Sequence, residues 1–199
     1  MAPRKAKFNR DEIIETAFEM VREGGWSNLS VPALAKKIHS STMPIYSHFK
    51  NVRELEDAVY LKALRLLGDC MTIEETGDKW LDHGIGYLRF AAKEEHLFRC
   101  LFDGRNPELQ IASLRDWNQL MLEQLTDYPL FEGLDVEQVS VIIYARFMLI
   151  YGMASGINSG WHSKKTEEEQ VRFLRKATQA LYDGLKAQFE VENQEKESS

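Results

Sequence analysis

Ser30 to Phe49, SVPALAKKIHSSTMPIYSHF, is the stretch on which the reading of this chain turns, because it sets two short helical patterns either side of a polar break. Ser30 can accept a backbone N–H at a helix start, and Pro32 falls in the first turn, where its missing donor costs nothing. Leu34, Ala35 and Ile38 then share one face, while Lys36 and Lys37 point elsewhere. His39-Ser40-Ser41 interrupts the stripe. Ser41 is placed to cap a second helix with Pro44 in its first turn, so that Ile45 and Phe49 pack inward and Thr42, Met43, Tyr46 and His48 face out. That pattern is a helix-turn-helix, in which the second helix meets base edges in a major groove and the first crosses the backbone.

The flanks extend the unit. Asn9 to Glu12 reads as a capping box opening a helix with Ile13, Ile14, Ala17, Phe18 and Val21 on one face, and Gly24-Gly25 ends it. Asn51 to Glu54 opens another helix through Leu55, Ala58 and Val59. Taken together, Ala17-Phe18, Gly24, Leu34-Ala35, Ser41, Ile45-Tyr46, His48-Phe49 and Glu54-Leu55 at their spacings resemble the DNA-binding domain of TetR (tetracycline-repressor) family transcriptional regulators. The resemblance covers roughly residues 8 to 56, about a quarter of the chain.

Three positions depart from the family pattern. The turn carries His39 and Ser40 where Gly and an apolar residue are usual, and His enters a left-handed backbone less easily than Gly. Val52 stands where a phosphate-contacting Lys is common, so that contact is either missing or moved to Lys50 or Arg53. Met43 and Pro44 replace small residues and imply an apolar element in base readout. The expected DNA-contacting set is Lys5, Lys7, Ser30, Lys36, Ser41, Thr42, Met43, Tyr46, His48, Lys50 and Arg53.

The overall net charge of −6 argues superficially against a nucleic-acid partner. Residues 1–50, however, hold eight Lys/Arg against five Asp/Glu, net +3, leaving −9 for the remainder. Arg4, Lys5, Lys7 and Arg10, before or at the first helix, are placed to neutralise phosphates. Cys70 and Cys100 have no CxxC or zinc-type spacing, which suits a reducing interior, and no apolar leader segment is present. The longest apolar run, Val141 to Ile157, is broken by Arg146 and Ser155 and falls short of a comfortable membrane span. These features read as a soluble cytoplasmic protein with no membrane partner.

Beyond Val52 the pattern stays helical, with segments near 52–72, 77–93, 95–102, 107–126, 136–157 and 166–190, and capping boxes at Asp135 and Thr166. The fold class is all-α: a helix-turn-helix domain over 1–51, a larger helical effector-binding and dimerisation domain over 52–190, and a polar flexible tail over 191–199. VSVIIYARFMLIYGMASGI, Val139 to Ile157, is apolar on nearly every face, so its second face needs a partner. Gly152, Ala154, Ser155 and Gly156 allow close approach of another helix. The last helix repeats Val171, Leu174, Ala177, Leu181 and Leu185, and a two-fold dimer through Leu174, Leu181 and Leu185 would form a four-helix bundle. The resemblance implies the same mode of dimerisation. A large monomeric core helix is the alternative.

The middle helices are rich in aromatic residues and Met. Trp80, His83, Tyr87, Phe102, Trp117, Met121, Tyr144, Arg146, Met148 and Tyr151 are the candidate ligand-binding residues, with Phe90 and Phe98 in the same population. Most such residues are simply core. Arg146 stands out, because a guanidinium among Tyr144, Ala145, Phe147 and Met148 is costly unless it meets an anionic ligand, a structural carboxylate or solvent. His83 can share a face with Trp80 and Tyr87, as ligand contact or as core hydrogen bonder. Tyr87 to Phe102 resembles the stretch that joins the helices beneath the DNA domain in some similar regulators, and would act as a lever.

The reading is a ligand-released repressor that binds a palindromic operator as a homodimer, with no cofactor and no metal; an activator and a ligandless protein are the alternatives. No HExxH, GxSxG, P-loop or GxGxxG motif is present, and His39, His48, His83, His96 and His162 lack metal-ligand spacing, which disfavours an enzyme. A helical small-molecule-binding or adaptor protein without DNA binding is the other rival.

Overall fold

The structure, a computed structural model, describes residues 8–125, 128–161 and 165–197. Lys5, Lys7 and His162 lie outside the described residues. Among those described, every regular element is a helix. In chain order the α-helices are α1 (Arg10–Gly24), α2 (Val31–Lys37), α3 (Met43–His48), α4 (Val52–Met71), α5 (Lys79–Lys93), α6 (Glu95–Phe102), α7 (Pro107–Leu125), α8 (Val136–Asn158) and α9 (Glu167–Glu197), with short 3-10 turns at Trp26–Asn28 and Pro129–Phe131.

Local chemistry accounts for most of the helix ends. Asn9 and Glu12 form a reciprocal capping box at α1, and Asp135 and Gln138 form another at α8. Thr166 and Glu169 do the same before α9, with backbone-to-side-chain distances of 2.9 and 3.2 Å. Ser30 Oγ accepts the Ala33 amide at α2, and Gly25, at φ 69°, stops α1. One cap differs from expectation. Thr42, not Ser41, holds the N-cap position of α3, and its helical φ, ψ of −71° and −17° leaves it with no side-chain cap. A cap needs an extended backbone to turn its oxygen onto the first-turn amides.

The chain forms two compact units. The first comprises Met1–Cys70 and Phe90–Gln110, and the second Met71–Arg89 and Ile111–Ser199. The division therefore falls inside α4, α5 and α7, and residue 51 immediately precedes α4. In the first unit Ile13, Ala17 and Val21 of α1 meet a core completed by Leu34, Ile45, Phe49, Leu55, Leu97 and Leu101, all essentially solvent-free. Burying such side chains contributes about 1.5–3 kcal/mol each, which holds α2 and α3 in place although helices this short are marginal alone. Helix α6 joins this unit through polar ties as well. The Arg22 guanidinium donates to both Glu94 oxygens at 2.7 and 2.5 Å, and Arg105 donates to Glu56 at 2.9 Å.

In the second unit Trp80, Met121, Phe131, Val139, Ile142, Ile143, Tyr182 and Phe189 form the core, with Trp80 and Phe131 edge to face at 5.2 Å. Gly84 of α5 lets that helix close on α8 and α9. A Cβ there would lie 2.8 Å from Leu174 Cδ2 and 3.1 Å from Arg146 Nη2. Gly84→Ala is expected to lower stability by about 1–3 kcal/mol in urea unfolding, because the overpacked helix must shift. An unchanged unfolding midpoint would refute this packing.

Two further elements differ from the sequence reading. Helix α9 continues through Glu197, past the tail expected from residue 191, and its Gln188 and Glu192 side chains bond across one turn at 3.1 Å. Helix α8, with 23 residues, is long and apolar enough by length and composition to cross a membrane, contrary to the expected shortfall. It nevertheless carries buried Arg146 mid-helix and packs against α9 within the second unit.

Candidate functional site

Helix α3 is the centre of the first candidate site. Ile45 and Phe49 are each 1% exposed, while Met43 is 78% and Tyr46 53% exposed, with Thr42 beside them in the open. Inward anchoring of one face is what leaves the other rigid and available. The turn before it closes a Schellman motif: Ser40 N–H donates to the Ala35 carbonyl at 2.9 Å and His39 N–H to Lys36 at 3.1 Å, with His39 at φ 51°. His39 thus takes the left-handed position that Gly would fill more easily.

The expected contact residues divide by what their side chains already do. Lys36, Ser41, Thr42, Met43, Tyr46 and Lys50 are exposed, and the Lys36 and Lys50 ammoniums enter no ion pair among the described residues. Ser30 is spent on its cap, and His48 Nε2 lies 3.1 Å from the Phe8 carbonyl oxygen. Arg53 donates to the Arg105 carbonyl at 2.9 Å and pairs with Asp57 at 3.3 Å, so of the two substitutes for the missing phosphate contact Lys50 is the open one. Lys37 pairs with Glu23 at 3.4 Å.

The second unit holds a cavity of about 320 Å³. Trp80, Tyr87, Trp117, Met121, Tyr144, Arg146 and Met148 line it, together with Met71, Leu114, Arg115, Ile143, Phe147 and Ile150, which sequence reasoning had not singled out. His83 faces a different, more polar recess beside Lys79 and Asp82. Phe102 belongs to the first unit, 5.1 Å from Phe98, and Tyr151 stacks on Phe147 at 6.2 Å without lining the cavity. Which apolar residues front a cavity depends on helix rotation, and aromatic content alone carries no such signal.

Arg146 is buried with its guanidinium 3.8 Å above the Trp80 ring centroid, donating through Nη2 to the Trp80 carbonyl, while Nε has no partner. No carboxylate pairs with it among the described residues. Burial pulls its pKa down to about 9, against the opposing pull of Asp78 and Tyr128. Burial likewise holds His83 down to about 4 from its ordinary 6.5, helped by the Arg146 charge and opposed by Asp82. The unfolded chain takes up the His83 proton below about pH 6.5 and the folded chain only below about 4, so acidification through that window removes stability, by about 2–3 kcal/mol. Urea unfolding at pH 7.0 and 4.5 is expected to show that loss in the wild type and a correspondingly smaller one in His83→Gln. Parallel losses would show that His83 is not the titrating group.

Helices α8 and α9 carry a third feature. Val141, Tyr144, Met148 and Gly152 form an exposed stripe on α8. On α9, Phe173, Ala180, Gly184, Ala187 and Val191 are exposed and Ala177 half-buried, at spacings of three and four that keep a coiled-coil seam. A Cβ built on Gly152 or Gly184 meets nothing within 4 Å. Of the residues expected at a dimer interface, Gly152 is exposed and Ser155 half-buried, whereas Ala154, Gly156 and Leu174 are buried inside the chain and Leu185 packs on its core. Leu181 is half-buried. The larger stripe of α9 serves its own core, and the smaller-residue stripe beside it is left outward.

The sequence model of the family described as "Bacterial regulatory proteins, tetR family" matches residues 13–59. The chain is 32% identical over 75 residues to the tetracycline repressor protein class D of Escherichia coli, covering 38% of this chain and 34% of that one, so the match spans about a third of the curated relative's length. The fold is similar to that of a TetR-family transcriptional regulator from Streptomyces coelicolor, with TM-score 0.66, 15% identity and coverage of 94% of this chain and 90% of that one. It is also similar to a TetR variant from Acinetobacter baumannii AYE solved in complex with minocycline, with TM-score 0.59, 16% identity and coverage of 91% and 98%.

Proposed function

We propose, from the premise that this chain belongs to the tetR family of bacterial regulatory proteins, a cytoplasmic repressor that binds a palindromic operator as a homodimer and is released by a small molecule held in the second unit. The observation that carries this reading is α3, whose Thr42, Met43 and Tyr46 are presented outward by the buried anchors Ile45 and Phe49. A six-residue helix of this kind fits a major groove, with Lys36 and Lys50 placed to meet phosphate. The outward stripes of α8 and α9 support a two-fold pairing in which each meets its copy. Two heads paired this way reach successive major grooves about 34–36 Å apart. Release follows if ligand binding favours a head spacing that the operator does not, and the Arg22–Glu94 fork, which ties α6 to α1, is a candidate part of that lever.

A gel shift against the DNA upstream of its own coding sequence, at two salt concentrations, tests the reading. A specific complex weakened by salt supports it, and no complex at low salt points to a ligand-binding adaptor instead. Within the complex, Thr42→Ala or Met43→Ala is expected to relax discrimination at one or two base pairs by about 1–3 kcal/mol. Tyr46→Phe and Lys50→Ala are expected to weaken all sites together, and Lys50→Ala to reduce the salt slope by about 1. Uniform losses from both pairs would overturn the assignment of base-reading residues.

A further inference from the structure

The wall of the cavity in the second unit is chemically one-sided. It is apolar through Trp80, Trp117, Met121 and Phe147, and among the described residues its two charged side chains, Arg146 and Arg115, are both cationic, with no Asp or Glu in the lining. Arg146 is the deep one, 7% exposed, with Nε unpartnered and Nη2 committed to the Trp80 carbonyl. Arg115 sits at the exposed rim. The acid whose charge Arg146 feels, Asp78, is already engaged elsewhere, its Oδ1 accepting from the Tyr128 hydroxyl at 2.6 Å and the Leu81 amide at 3.1 Å.

A buried guanidinium with an unused N–H is costly in an otherwise apolar wall, and a ligand that brings a counter-charge relieves that cost in the bound state. We propose that the cavity takes a monoanionic amphipathic acid, its apolar body against Trp80, Trp117 and Phe147 and its carboxylate paired with the Arg146 guanidinium. The volume, about 320 Å³, suits a compact aromatic or medium-chain acid. A neutral isostere would fill the same space and leave the guanidinium uncompensated. An amine would add a second cation beside it.

This inference rests on the reading of the cavity as the effector site, and the test separates the two. Three apolar bodies are presented to the full chain, each as carboxylate, primary alcohol and primary amine: decanoate, 4-phenylbutyrate and 2-naphthoate with their counterparts. Binding is followed by calorimetry and by the fluorescence of Trp80 and Trp117. At least one carboxylate is expected to bind about tenfold or more tightly than its alcohol, with the amine weakest. Arg146→Met, a replacement that removes the buried charge and keeps an apolar side chain, is expected to erase that preference while still binding the alcohol. Arg146→Lys, which keeps the charge without the guanidinium fork, retains part of it. Arg115→Ala, at the solvated rim, is expected to change it by no more than about twofold. Equal affinity for acid and alcohol, a preference that survives Arg146→Met, or no binding by any carboxylate overturns the proposal. Acid binding through Arg146 with no effect on a DNA complex would leave the ligand class standing and remove the effector role.

Discussion

Gly184→Arg is expected to yield a folded chain that sediments as a monomer and binds a palindromic operator at least about 100-fold more weakly than the wild type. The substitution is benign within one chain: Gly184 lies on the exposed face of α9, a Cβ there meets nothing within 4 Å, and Arg is a better helix former than Gly by nearly 1 kcal/mol. Its effect must come from what approaches that face. Phe173, Ala177, Ala180, Gly184, Ala187 and Val191 form a seam with the smallest residue near its centre, where two helices would come closest. A guanidinium on both copies adds bulk and like charge at that point. Because linking two heads raises effective affinity by about 10²–10⁴, separating them loses a similar factor. Sedimentation velocity and fluorescence anisotropy with labelled duplex measure both consequences. A dimer that survives Gly184→Arg would place the interface elsewhere.

Phe49→Ala is expected to destabilise the first unit by about 3–5 kcal/mol and to abolish specific DNA binding at temperatures where the second unit remains folded. Phe49 is 1% exposed at the end of α3, with its amide donating to the Ile45 carbonyl at 3.0 Å and the Arg10 guanidinium 4.9 Å above its ring centroid. It therefore joins α3 to α1. A six-residue helix has no stability of its own, so a cavity beneath it loosens the very face that must stay rigid. Tyr46→Ala on the opposite face leaves the fold intact, which makes it the control. Chemical denaturation followed by Trp26, buried in the same unit, reads the effect. A loss below about 1 kcal/mol would mean that α3 is held by something other than this packing.

The helix-turn-helix was largely legible in the residues because its signals are local. A capping box acts over three residues, a proline in a first turn acts on its own amide, and inward spacing of Ile45 and Phe49 follows from helical period alone. The same locality explains the exception at α3. Ser41 and Thr42 are both capping residue types, and the backbone conformation that chooses between them is set by how the turn docks, which neither residue encodes.

Position in space was less legible than identity. Helix α9 carries two apolar stripes one residue apart, Leu174-Leu181-Leu185 and Phe173-Ala180-Gly184-Ala187, and hydrophobicity favours the first for any interface. Leu174 is buried in the chain's own core and Leu185 packs on it, with Leu181 half-buried, since a small domain must bury its largest side chains to be stable at all, and the second stripe is left largely exposed. The absence of Gly84 from any sequence argument has a similar origin. Its role appears only when Leu174 and Arg146 arrive from helices far along the chain.

By itself the sequence determined the all-helical class, the helix-turn-helix and the ends of most helices, all of which depend on interactions within four or five residues. Tertiary structure alone decided that α6 completes the first unit, which side chains front the cavity, and that no carboxylate among the described residues pairs with Arg146. Those outcomes depend on helix rotation and on contacts between residues tens of positions apart, where packing of the whole chain sets the answer and no local pattern carries it.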